Sequence, residues 1–162
     1  MKGLVYTLKN RVRLLIAGLF ASAVLSGCGE DPELTQFRND IESFCTEISR
    51  IDTSINNIDA SSEGAVSELL SYLDDLEDAF RGFAELDFPE EFDYLEEIAD
   101  QAGDYMSTAV SSYHDAYGKD SYDEYTAAYA RENYSRAYKR IQIIITFLHG
   151  ETPEDVDLKI EE

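Results

Sequence analysis

The chain has 162 residues, with 34 acidic against 13 basic side chains and a net charge of −21; 44% of it is hydrophobic, and it holds 11 tyrosines and no tryptophan. So strong an acidic balance argues against nucleic acid or anionic lipid as a partner surface. The ordinary apolar content excludes a disordered polyanion, and the length suits one domain.

Lys2, Lys9, Arg11 and Arg13 precede an apolar run from Leu14 to Leu25. This is the order of a secretory leader, and the run is too short for a comfortable membrane span. Ser26 and Gly27 supply small residues at the expected cleavage site, and Cys28 follows. Leu25-Ser26-Gly27-Cys28 resembles the lipobox of bacterial lipoproteins. The resemblance covers the first 28 residues and nothing of the helical body. It implies a diacylglyceryl group on the Cys28 sulfur, cleavage just before Cys28, and a lipid-anchored protein on the extracytoplasmic face of the cell membrane. One acyl chain anchors marginally and two or three hold stably, at about 0.8 kcal/mol per buried methylene.

The expected division is a leader over 1–27, a helical body over 28–150 and an acidic tail over 151–162. Past the leader, nine basic residues face all 34 acidic ones, a net charge of −25. That charge suits solubility at an envelope surface, screening by divalent cations, or a cationic partner; a solvated face is the simplest reading.

Asp31-Pro32-Glu33 should open the first helix, with proline and acid in its first turn. Its apolar positions are Leu34, Phe37, Ile41, Phe44, Ile48, Ile51, Ile55 and Ile58, a heptad-like seam. Asn56, Asn57, Asp59, Ser61 and Ser62 predict a turn, with Ser61 or Ser62 capping the next helix. Val66, Leu69, Leu73, Leu76, Phe80 and Phe83 form the second seam, which Leu86-Asp87-Phe88-Pro89 should close. Pro89 suits the first turn of the third helix, whose seam is Phe92, Leu95, Ala99, Ala102, Met106, Ala109, Tyr113 and Ala116. The small residues there invite a close neighbour. After a turn at 117–120, Ser121 to Glu124 have the form of a capping box. Ala127, Ala130, Tyr134, Ala137, Ile141, Ile144 and Leu148 follow, with Gly150 as the stop. The alternation of Val156, Leu158 and Ile160 allows a short extended segment in the tail. The predicted fold is all-α, an up-down-up-down four-helix bundle resembling a short coiled coil. A three-helix core with a loosely docked fourth helix is the alternative.

The residues argue against familiar bundle chemistry. Di-iron bundles use Glu-x-x-His pairs, but Ser111 and Thr146 stand three residues before His114 and His149. Met106 has no histidine opposite it for haem, and no covalent-haem, phosphate-loop, zinc-protease or Gly-x-Ser-x-Gly motif occurs. Neither a cofactor nor a metal nor enzymatic activity is expected. Glu90, Glu91, Glu96, Glu97, Asp100 and Asp104 could hold calcium, but such sites usually need loop carbonyls, and a solvated helix face explains the run better. Cys45, beside Phe44, reads as a small buried filler. His114 reads as structural, near a helix C-terminus that favours a cation.

Tyrosine is the unusual residue. Tyr113, Tyr117, Tyr134 and Tyr138 fall on or beside the seams and read as core. Tyr122, Tyr125 and Tyr129 share a face about 130° from the fourth seam. Asp120, Asp123, Glu124 and Glu132 surround them. An exposed aromatic stripe rimmed with acid could dock a sugar, a cationic group or an envelope protein; coverage by the tail or a local change of register is the competing reading. The candidate partner site is therefore Tyr122, Asp123, Glu124, Tyr125 and Tyr129. A lipid-anchored binding module is the leading functional expectation, and a purely structural spacer the other.

Overall fold

The computed structural model describes residues 32–118 and 122–150. Four α-helices follow in order: α1 (Pro32–Asn57), α2 (Ala65–Ala84), α3 (Glu96–Tyr117) and α4 (Glu124–Leu148), with a 3-10 turn at Asp93–Leu95. No strand occurs among the described residues. The expected leader, Cys28 and the tail from Glu151 lie outside them.

The seams became the core. Phe37, Phe44, Ile48, Ile51, Ile55 and Ile58 are buried, as are Leu69, Leu73, Leu76, Phe80 and Phe83. They join residues of α3 and α4 in one hydrophobic cluster. Leu34, Ile41 and Cys45 lie half-buried at its edge. The α1 and α2 seams meet through aromatic rings, with Phe44 5.5 Å from Phe80 and 4.4 Å from Phe83. At the surface Arg50 comes within 3.7 Å of Asp75.

Helices α3 and α4 share the most extensive interface. Ala99, Ala102, Ala109 and Ala116 of α3, with Ala127, Ala130 and Ala137 of α4, are essentially fully buried. Side chains this short let two backbones approach closely. Tyr134 and Tyr138 do the opposite on α4, filling the wider space toward α1 and α2, with Tyr138 5.2 Å from Phe80.

Three local expectations need correction. The α1–α2 turn is organised by Asp59, not by a serine cap: its carboxylate accepts from the Ser61 amide (2.9 Å) and hydroxyl (2.7 Å). Gly64 precedes α2 without a side-chain cap, and Ala65 takes the buried place expected of Val66, which is half-buried. Helix α3 begins at Glu96, not at Pro89. Phe88 and Pro89 are instead buried. The Phe88 ring sits 4.9 Å from Phe37 and 6.0 Å from Phe83, and Phe92 lies 5.9 Å from Phe37. Packing rings under the first turns of α1 outweighs seven further residues of helix. The chain resumes helicity through the bonds Phe92 N–H to Pro89 O (2.7 Å) and Leu95 N–H to Phe92 O (2.9 Å).

Candidate functional site

The entry to α4 is held by Asp123. Its backbone is extended (φ −101°, ψ 105°), and its carboxylate accepts from the amides of Tyr125 and Thr126 at 3.0 and 3.1 Å. The Asp123 amide in turn donates to Ala116 O (3.1 Å), fastening the start of α4 to the end of α3. Asp123 is therefore the N-cap, which is worth about 1 kcal/mol to a helix. A single carboxylate oxygen, Oδ1, accepts both amides, so Asp123 caps the helix from its expected place at the edge of the tyrosine face. Ser121 and Asp120 lie outside the described residues.

The expected tyrosine stripe divides. Tyr125 is 90% exposed and Tyr129 53%; Glu124 is exposed beside them. Tyr122 departs from the stripe because it precedes the first turn of α4 and so does not follow helical spacing. It is half-buried, its ring 5.4 Å from Tyr117, and its hydroxyl is enclosed without a hydrogen-bond partner among the described residues. The face below Tyr129 is firm: Asn133 is buried and donates to Tyr129 O at 2.9 Å.

Inward from this face lies a layer of buried phenols. Burial, opposed in part by Arg131, raises the Tyr113 hydroxyl above its ordinary range. Tyr117 is pushed up to about 12, first by burial and then by Tyr122. Burial also raises Tyr134 and Tyr138, whose rings are 4.8 Å apart. The two hydroxyls act on each other, and the Tyr138 hydroxyl is buried without a well-formed hydrogen bond among the described residues. Tyr113, Tyr134 and Tyr138 are core, as their seam positions implied, while Tyr117 is half-buried against its edge.

Further along α4, an arrangement appears that sequence reasoning did not anticipate. The guanidinium carbons of Arg136 and Arg140 stand 5.6 and 5.3 Å from the centre of the Tyr105 ring on α3. Arg136 also pairs with Glu132 (2.7 Å), and Arg140 donates to the Gln101 side-chain oxygen (2.9 Å). A cation over an aromatic face contributes about 0.5–1 kcal/mol at exposed sites. The signal was present in the sequence: four of the nine basic residues after Cys28 fall between 131 and 140.

Other candidates resolve into structural contacts. His114, in the last turn of α3, has its Nε2 2.6 Å from Asp74 Oδ1, joining α3 to α2. Cys45 is half-buried, and burial, then Glu42, raises its thiol pKa, which disfavours the nucleophilic thiolate. A groove of about 420 Å³ runs between α2 and α3 over Gly103, walled by Glu77, Glu85, Asp100 and Asp104. Glu77 there binds Arg81 (2.7 Å) and accepts from the Ser107 hydroxyl (2.9 Å). Among the described residues, no three His, Cys, Asp or Glu side chains converge as a metal site. No described helix is long and apolar enough to cross a membrane. No protein family matches the chain, and neither does any curated protein or any solved structure.

Proposed function

We propose that the chain is a lipid-anchored, extracytoplasmic helical bundle that acts as a binding or interaction module through the exposed face of α4. Tyr125, Tyr129 and Glu124 form its contact surface, with Tyr122 as underlying support. The observation that carries this reading is the exposure of two neighbouring tyrosines, 90% and 53%, on a helix otherwise well buried on its inner side. Large aromatic side chains left in water on a rigid element are characteristic of contact surfaces.

The anchor reading rests on the Leu25-Ser26-Gly27-Cys28 resemblance and on the shortness of the chain between Cys28 and Pro32, where α1 starts. We further propose up-down-up-down topology. Supporting contacts run in opposite directions along successive helices: Phe44 with Phe83 and Arg50 with Asp75; Glu77 with Ser107 and Asp74 with His114; and Gln101 with Arg140 and Tyr117 with Tyr122. With this topology the 26 residues of α1 carry the chain roughly 39 Å from the anchor, at 1.5 Å per residue, to the end where Tyr125 sits.

Two experiments test the reading. Cys28→Ser should leave unprocessed precursor and remove lipid labelling; continued cleavage and acylation would exclude the anchor. A thermal-shift screen with peptides, sugars, polyamines and calcium should find a stabilising ligand, since one at a hundred times its dissociation constant adds about 2.7 kcal/mol. The shift should vanish in Tyr125→Ser/Tyr129→Ser. A spacer protein would respond to no ligand.

A further inference from the structure

Charge is distributed very unevenly among the helices. Five acidic residues face two basic ones in α1, one in α2 and none in α3, for net charges of −3, −4 and −5. Helix α4 reverses the sign: Arg131, Arg136, Lys139 and Arg140 against Glu124 and Glu132 give +2. It is the only described helix that is net positive.

The reversal lies on the face already marked by the tyrosines. Tyr125, Tyr129, Glu132, Arg136 and Arg140 are spaced by four, three, four and four residues, so they form one row. At 1.5 Å per residue the row is roughly 22 Å long. Lys139 is exposed beside it. No carboxylate of the neighbouring acidic helix forms an ion pair with these cations among the described residues. Arg136 pairs within α4, Arg140 meets the neutral Gln101, and both guanidinium groups rest on the neutral ring of Tyr105. Among the described residues no ion pair links α3 to α4, although α3 carries five carboxylates.

We infer that this face of α4 docks an acidic polypeptide segment, with its carboxylates on Arg136, Lys139 and Arg140 and its apolar side chains on Tyr125 and Tyr129. The inference rests on the contact surface proposed above and assigns its partner a chemistry. Guanidinium groups take carboxylates through paired hydrogen bonds, and Arg with Tyr is the composition of protein-interface anchors. The ladder of positions along α4 matches carboxylates repeated at helical spacing on a partner. The acidic remainder of the chain does not forbid this. At physiological salt the screening length is about 8 Å, so at contact the partner experiences mainly the nearby cations.

The test uses the full chain in uncharged detergent at physiological salt. The probes are an amphipathic Leu/Glu helical peptide of about 16 residues, long enough for the row, its Glu→Gln and Glu→Lys counterparts, and a polyuronate as an anionic glycan. The Glu peptide should bind and shift the amide resonances of residues 125–140. Arg136→Gln/Lys139→Gln/Arg140→Gln should weaken it at least about tenfold, with the helical circular dichroism unchanged. Arg136→Glu/Lys139→Glu/Arg140→Glu should transfer preference to the Lys peptide. A Lys peptide binding the native α4 face as well as the Glu peptide overturns the inference. So does a Glu peptide mapping to another helix, a failure to bind, or a polyuronate that displaces the peptide from α4 at lower concentration. If the Gln peptide binds α4 as tightly as the Glu peptide, the acidic chemistry is wrong while the contact surface stands. If no probe perturbs Tyr125 or Tyr129 and the screen above finds no ligand, both readings fall.

Discussion

Gly103 on α3 faces Ala84 on α2 so closely that a Cβ added at Gly103 would stand 3.4 Å from the Ala84 Cβ and 3.8 Å from Phe80 O. These are ordinary contact distances. Gly103→Ala should therefore fit without displacing α2 and gain up to about 1 kcal/mol of helix propensity. A rise in the denaturation midpoint with an unchanged denaturant slope is the expected result. A fall would mean that the two helices cannot accept even a methyl group here.

Phe44 is the central ring of the α1–α2 contact, 8% exposed and within ring-contact distance of both Phe80 and Phe83. Phe44→Ala should cost about 3–5 kcal/mol in chemical denaturation. A cost below about 1 kcal/mol would show that α1 is not an integral part of the core.

Alkaline pH should unfold the domain from within. Burial holds Tyr113, Tyr134 and Tyr138 above the ordinary phenol value of 10, and Tyr117 near 12. Below that ordinary value these groups are neutral in both folded and unfolded chains, and their contribution to stability is fully present. Above it the unfolded chain ionises them while the folded chain does not, so stability falls and is lost as pH passes through the raised folded values. Phenolate absorbance should develop together with loss of helical circular dichroism. Complete ionisation of all the tyrosines in a chain that stays helical would contradict their burial.

Tyr125→Ser/Tyr129→Ser should change stability little, since exposed substitutions usually stay within about 0.5 kcal/mol each. Tyr134→Ser, only five residues further along α4 but 6% exposed, should cost several-fold more. Equal costs in the two experiments would erase the distinction between contact face and core.

The helices were legible because their seams repeat every three or four residues, and Phe37, Phe44, Ile48, Ile51 and Ile55 are buried as that spacing requires. The division of tyrosines into core and surface was also legible for Tyr113, Tyr134, Tyr125 and Tyr129, because each lies within a helix, Tyr125 in its first turn, where angle follows from number. Tyr122 was not, since it sits ahead of the N-cap. Periodicity likewise did not reveal that Phe88 and Phe92 would fold under Phe37: proline permits either a helix start or a turn, and the choice depends on rings more than fifty residues away. The Tyr105–Arg136–Arg140 arrangement required knowing which face of α3 meets α4.

The alanine-lined union of α3 and α4 has a mechanical consequence. Those two helices are joined over most of their length, whereas α1 is tied in mainly through one seam against α2. If the chain is held by Cys28, any pull between the membrane and a partner on α4 enters through the less secured helix. Stretching a single molecule between its N-terminus and Lys139 should then give two force steps, α1 yielding first and the α3–α4 pair last. A single cooperative rupture would show instead that the load is shared across all four helices. A two-step response would let the tether lengthen by paying out α1 while the face bearing Tyr125 and Tyr129 kept its shape.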